Sequence, residues 1–141
     1  LGYPSPEEEL EIYLRFEKDS VPPEIEAVTD GEEVARMQDL THTVRVDGPV
    51  REYIVEVVRA TRDHSGISLG ASPRAGMALY KTTQAWAAID GRDFATPDDV
   101  KTMAPVVLPH RTILSSSARL RGDSSEQVVG EILASVPVPI E

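Results

Sequence analysis

Residues 47–91 read DGPVREYIVEVVRATRDHSGISLGASPRAGMALYKTTQAWAAIDG, and this stretch decides the fold. Val50, Tyr53, Ile54, Val57, Val58 and Thr61 recur at spacings of three and four, the cleanest helical stripe in the chain. Arg51, Glu52, Glu56, Arg59 and Arg62 occupy the opposite face. Asp47-Gly48-Pro49 starts that helix, and Asp63 to Gly70, with two glycines and two serines, reads as a loop. Ser72-Pro73 then opens a second helix, because serine caps and proline suits the first helical position. Ala75, Ala78, Leu79, Thr82, Ala85, Trp86 and Ile89 line one side, and Gly91 ends it as a left-handed cap. Trp86, Tyr53, Ile54, Val57 and Leu79 are expected to be buried together, so that Trp86→Ala costs ~3–5 kcal/mol.

Outward from this pair the pattern stays helical. Ser5-Pro6-Glu7-Glu8 is a capping box ahead of Leu10, Tyr13 and Leu14, with Ile12 and Phe16 widening the stripe. That helix is expected to stop before Val21-Pro22-Pro23. Residues 18–30 read as a loop. Thr29 or Asp30 caps a helix whose apolar positions are Val34, Met37, Leu40 and Val44, and Val44-Arg45-Val46 reads as a brief extended link. Thr96-Pro97-Asp98-Asp99 opens a helix with Val100, Met103, Ala104, Val107 and Leu108 inward, stopped by Pro109. Thr112-Ile113-Leu114 and Ala118-Arg119-Leu120 offer the pairing for a small hairpin, and Arg119 to Asp123 looks like a turn. Ser124 and Gln127 cap a short last helix through Leu133, ahead of an extended Val136-Pro137-Val138-Pro139 tail. The expected fold is mainly α: a compact bundle of about five helices, a short C-terminal helix and at most a small hairpin.

The chain has 141 residues, enough for one domain or one domain with a tail. Fourteen Lys and Arg against 24 Asp and Glu give a net charge of −10. Such a balance disfavours phosphate-backbone binding, which needs a basic face, so no nucleic-acid partner is expected. With no cysteine, disulfides, thiolate metal sites and cysteine nucleophiles are excluded. No apolar run approaches the ~20 residues of a membrane span, and no basic region followed by an apolar stretch suggests a signal peptide. A cytoplasmic location is expected. The chain opens on Leu1-Gly2-Tyr3-Pro4 rather than Met and reads like the middle of something longer.

Chemistry is scarce. The chain has no G-x-x-x-x-G-K-[ST] phosphate loop and no apolar run ending in paired acids to hold magnesium. Asp63-His64-Ser65 has the letters of a hydrolase triad, but adjacent residues cannot adopt its geometry. His42, His64 and His110 lie far apart, none with a metal-ligand partner three or four residues on, so no metal site is expected. Glu7-Glu8-Glu9 and Asp98-Asp99 read as first-turn acids rather than catalytic carboxylates. No catalytic residue is assigned. One feature stands out: Gly70-Ala71-Ser72-Pro73-Arg74-Ala75 puts an arginine in the first turn of a helix after a tight start. Its rigid fork suits phosphate or carboxylate oxygens, while the plainer reading is a surface arginine beside a helix cap.

Several motifs occur in order: Tyr53-Ile54, Ala60-Thr61-Arg62, Leu69 to Ala75, Gly91-Arg92-Asp93, Pro97-Asp98-Asp99-Val100 and Val107-Leu108-Pro109-His110-Arg111. Together they closely resemble the C-terminal lid of MoxR-type AAA+ ATPases. Gly2-Tyr3-Pro4-Ser5 and the acids after it resemble the junction between that family's ATPase core and its lid. The resemblance covers residues 1 to about 114. It implies a lid over 1–114, with 1–4 ending the core, 5–45 as linking helices and 46–114 as the main lid, and with 115–141 as a C-terminal extension.

The same resemblance implies a role for Arg74 as the sensor-two arginine that reaches the terminal phosphate of ATP, with Ser72 and Pro73 positioning it. It implies ATP and Mg2+ as cofactors of a longer parent, with none expected for the isolated chain. The phosphate loop, magnesium acids, sensor one and arginine finger would lie upstream, so the chain alone is not expected to hydrolyse ATP. It further implies a partner in the upstream core of the same protein, a hexameric ring, and chaperone-like remodelling of partners that include von Willebrand factor A domain proteins. The competing expectation is a stand-alone acidic helical module that binds proteins and has no nucleotide role.

Overall fold

The computed structural model describes residues 2–17 and 25–139. The chain divides into two units, Leu1–Gly31 and Glu32–Glu141. The first holds α1 (Pro6–Glu17). Its start is the capping box read from the sequence: the Ser5 amide donates to Glu8 Oε2 at 2.7 Å, and the Glu8 amide donates to Ser5 Oγ at 3.3 Å. Its apolar stripe covers no core of its own. Leu10, Ile12, Tyr13, Leu14 and Phe16 are all exposed. The expected stop at Val21-Pro22-Pro23 lies outside the described residues.

Next come α2 (Gly31–Thr41), α3 (Gly48–Asp63), β1 (Ile67–Leu69), α4 (Pro73–Ile89) and α5 (Pro97–Val107). A 3-10 turn over Pro109–Arg111, β2 (Ile113–Leu114), α6 (Ser116–Arg121) and α7 (Ser125–Ser135) complete the order. The fold is mainly α, as the stripes require. α2 differs from its pattern: Val34, Met37 and Leu40 are exposed and only Val44, beyond its end, is buried. The extended link is real, because Arg45 pairs with Phe94 in a single parallel bridge.

The core forms where α3, α4 and α5 pack on one another and α7 closes against α3 and α5. All six stripe positions of α3 are buried. α4 is rotated from its reading. It buries Ala75, Leu79, Thr83 and Ala87, an i,i+4 row, together with Gln84. Trp86 is 41% exposed and Ile89 80% exposed, so the expected burial of Trp86 with Tyr53, Ile54, Val57 and Leu79 is corrected to those four without it. The reason is polar satisfaction as well as packing. Gln84 Nε2 donates to the Val44 carbonyl at 2.7 Å, which fixes this face inward and turns the indole out.

Tyr53 is 1% exposed, and its hydroxyl is buried with no hydrogen-bond partner among the described residues. Burial, and then the negative charge of Asp98, push its phenol pKa up. An unsatisfied buried hydroxyl costs stability, so Tyr53→Phe should stabilise the fold by about 1 kcal/mol. Urea unfolding checks this, and a clear loss of stability would show that the hydroxyl has a partner.

Two further readings are corrected. The loop over 63–70 contains β1, which pairs antiparallel with β2 through Ile67–Leu114 and Leu69–Ile113, with an irregularity between. Ala118-Arg119-Leu120 is not the second arm of a hairpin. It lies in α6, which Ser115 caps through the Ala118 amide and Gly122 ends at φ +84°. α6 is the helix that the pattern did not announce. Six residues are too few for a periodic stripe to show.

The end of α4 is locked to the start of α5. Gly91 (φ +74°) donates its amide to the Ala88 carbonyl at 3.0 Å, and Arg92 to that of Ala87 at 2.9 Å, closing a Schellman turn. Arg92 then grips Asp99 with both terminal nitrogens, at 2.8 and 2.5 Å, and its Nε donates to Asp90. The Thr96 amide and hydroxyl donate to the same Asp99 carboxylate at 2.7 and 2.9 Å. Burial alone would raise the Asp99 pKa, but these hydrogen bonds outweigh it and hold the carboxyl below its usual range. A depressed carboxylate stabilises the fold above its unfolded value of about 3.9 and loses that contribution as pH falls through the lower folded value. Asp99→Ala, which removes the N-terminal box and the buried end of the ion pair, should therefore cost about 2–4 kcal/mol at pH 7. The difference from wild type should shrink below about pH 4. A pH series of denaturant midpoints tests both parts.

Candidate functional site

The start of α4 is positioned by α3 through Gly70 and Ala71, the first two of the three residues that join β1 to it. A Cβ on Gly70 would lie 2.6, 2.7 and 2.8 Å from Arg62 Cγ, Cα and N, so this position passes the α3 backbone at a distance open only to glycine. The next residue, Ala71, is held through the peptides on both of its sides. The buried Ala71 amide donates to Thr61 Oγ1 at 2.9 Å, and the Ala71 carbonyl accepts from Arg62 Nε at 3.0 Å. Thr61 Oγ1 in turn donates to the Val58 carbonyl at 2.6 Å. Sequence reasoning placed Thr61 on an apolar stripe and Arg62 on a solvated face, and missed that both clamp this linker. Only the run of small residues at 70 and 71 hints at such a close approach.

Ser72 is the N-cap residue in extended geometry, but its hydroxyl makes no capping bond, contrary to the cap assigned to it. Its carbonyl does that work, accepting from the Ala75 amide at 2.9 Å and the Gly76 amide at 3.3 Å. Pro73 occupies the first helical position and has no amide to satisfy. Of the first-turn amides this leaves that of Arg74, which meets no acceptor among the described residues. The Arg74 side chain is exposed, and it forms no hydrogen bond or ion pair with any described residue. A rigidly based guanidinium therefore projects beside the positive end of a helix dipole, an arrangement that favours an anion.

The other candidates carry less. His64 accepts the Gly66 amide on Nδ1 at 3.1 Å, while its Nε2 lies 3.5 Å from Glu131 on α7. It bridges a turn to a helix and has no nucleophile to serve. Among the described residues no group of three His, Asp or Glu side chains is placed to hold a metal. No helix among them is long and apolar enough to cross a membrane.

Residues 59–132 match the family model of the AAA lid domain, and this span runs from the C-terminal half of α3 through the clamp and Arg74 into α7. The chain belongs to that family. The lid is of the MoxR type. It is 40% identical over 141 residues to the uncharacterised protein YeaC of Bacillus subtilis, covering 100% of this chain and 44% of that one. To the chaperone MoxR1 of Mycobacterium tuberculosis it is 34% identical over 148 residues, covering 99% of this chain and 39% of that one. A crystal structure of a candidate ATPase from Cytophaga hutchinsonii superposes with a TM-score of 0.85 at 30% identity, over 99% of the lid and 45% of that chain. The lid thus spans less than half the length of each of these relatives.

Proposed function

We propose that this lid closes over ATP held by an ATPase core of the same, longer protein, and that Arg74 is its sensor for the terminal phosphate. The observation that carries the reading is the exposed, unpaired guanidinium at the clamped start of α4. Its chemistry fits the group, since a planar fork beside a free helix-start amide is suited to phosphate oxygens. ATP would bring an anionic terminal phosphate whose loss on hydrolysis removes a ligand of the arginine. Arg74 would bind that phosphate, Gly70 and Ala71 would hold the arginine in place, and Ser72 and Pro73 would set the helix start. Mg2+ would belong to the core.

A phosphate that Arg74 meets in one state and not in the other supplies the differential contact that any switch needs. The same reading takes 1–4 as the end of the core, 5–45 as linking helices, 46–114 as the main lid and 115–141 as an extension. It also places the longer protein in a cytoplasmic hexameric ring that couples hydrolysis to chaperone-like remodelling, with von Willebrand factor A domain proteins among its clients.

The test compares ATP with ADP binding to a protein that joins the lid to a core. Wild type should prefer ATP, and Arg74→Ala should lose most of that preference while binding ADP as before. Equal discrimination in both proteins would end the assignment.

A further inference from the structure

We propose that the trough between α3 and α4 is a docking site for an acidic amphipathic helix of a partner protein. The trough encloses about 600 Å³. Its floor includes Val58, with Val55 and Met77 left 54% and 60% exposed along it. Its rim carries Arg51, Arg59 and Arg62 on the α3 wall and Lys81 on the α4 wall. No acidic residue lines it, in a chain with 24 acidic and 14 basic side chains. Among the described residues no carboxylate pairs with Arg51, Arg59 or Lys81. This patch of unneutralised positive charge on an acidic molecule attracts an acidic partner, while the net charge of −10 on each copy opposes self-association as a whole.

Shape and charge together select a helix. Arg51 to Arg62 spans about 16 Å of α3, three helical turns. Two helices that leave an apolar strip between them accept a third along the strip, its own apolar residues three and four apart facing down. Carboxylates flanking that stripe would meet cations on both walls. An inorganic anion would leave Val55 and Met77 wet, and a nucleic-acid backbone would bury neither.

The test titrates the whole chain with a synthetic 14-residue peptide carrying Leu at helical spacing and Glu on both flanks. Fluorescence anisotropy reads affinity, and backbone amide shifts locate the site. Binding should saturate, shift amides of α3 and α4, and weaken as salt screens the rim. Reversing two rim charges together, Arg59→Glu with Lys81→Glu, should weaken it about tenfold or more. Met77→Asp should do the same through the floor. All three side chains are exposed, so circular dichroism should be unchanged. Equal binding of the same peptide with Lys for Glu, an undiminished affinity in the charge-reversed protein, or shifts confined to other helices would each overturn the proposal. Binding to anionic phospholipid vesicles without binding to the peptide would overturn it as well and mark the trough as a membrane surface.

Discussion

Arg74→Ala, made in a protein that joins this lid to an ATPase core, should slow ATP turnover by on the order of 10³-fold, the lower end of what an arginine supplied to phosphoryl transfer is worth. That is about 4 kcal/mol of barrier, far more than an exposed side chain contributes to folding. The two effects can be separated here. The helix start does not depend on the guanidinium, because Ser72 offers its carbonyl, Pro73 presets the backbone and Ala71 is tied to α3. The variant should therefore unfold at the wild-type denaturant midpoint while turning over slowly. Arg74→Lys should recover only part of the rate, since an ammonium is a point charge and cannot reproduce the two-pronged geometry. Wild-type turnover in Arg74→Ala would leave the arginine as a surface residue beside a helix start.

Gly70→Ala should destabilise the lid by about 3 kcal/mol or more, although it adds only a methyl group. Its Cβ would arrive under 3 Å from two backbone atoms of Arg62, in the last turns of α3, and neither can move aside as a flexible side-chain tip could. The linker would have to retreat, stretching the bonds from Thr61 and Arg62 to Ala71. A loss of this size is a large share of the ~5–15 kcal/mol that holds a domain together. Denaturant unfolding measures it. Gly130→Ala is the control, because a Cβ there meets nothing within 4 Å and alanine favours a helix. A cost below about 1 kcal/mol at Gly70 would show that the linker has room the structure does not display.

How much of this the sequence disclosed depended on how local each cause was. The α3 stripe was legible at every position because one face of one helix carries nearly all the large apolar residues, Val55 being the exception. Helix starts at Ser5, Thr96 and Ser124 were legible because a cap is a few consecutive residues. α4 misled because alanine and threonine sit all round it. Such a helix does not declare its buried face, and the bond from Gln84 to Val44, 40 residues away, decided it. β1 and β2 are three and two residues long and meet across more than 40 residues, so neither carries a strand pattern of its own. At the candidate site, Arg74 was legible from Ser72-Pro73 before it. The use of Gly70, Thr61 and Arg62 was not, since a close approach between segments leaves no local trace beyond the small residues at 70 and 71.

The double grip on Ala71 has a mechanical consequence. With its amide bonded to Thr61 and its carbonyl to Arg62, Ala71 ties the start of α4 to the end of α3, so Arg74 rides on a lever that moves with both helices. The lever is the 17-residue α4, about 25 Å long. A tilt of the lid as a body by about 10° about the far end of α4 sweeps Arg74 through roughly 4 Å, more than the length of a hydrogen bond. An arginine on a loose arm could follow a receding phosphate and blur the difference between its presence and absence. If Arg74 is the phosphate sensor proposed above, its guanidinium on this lever would not follow, and the presence of one phosphate would be converted into the angle of the whole lid.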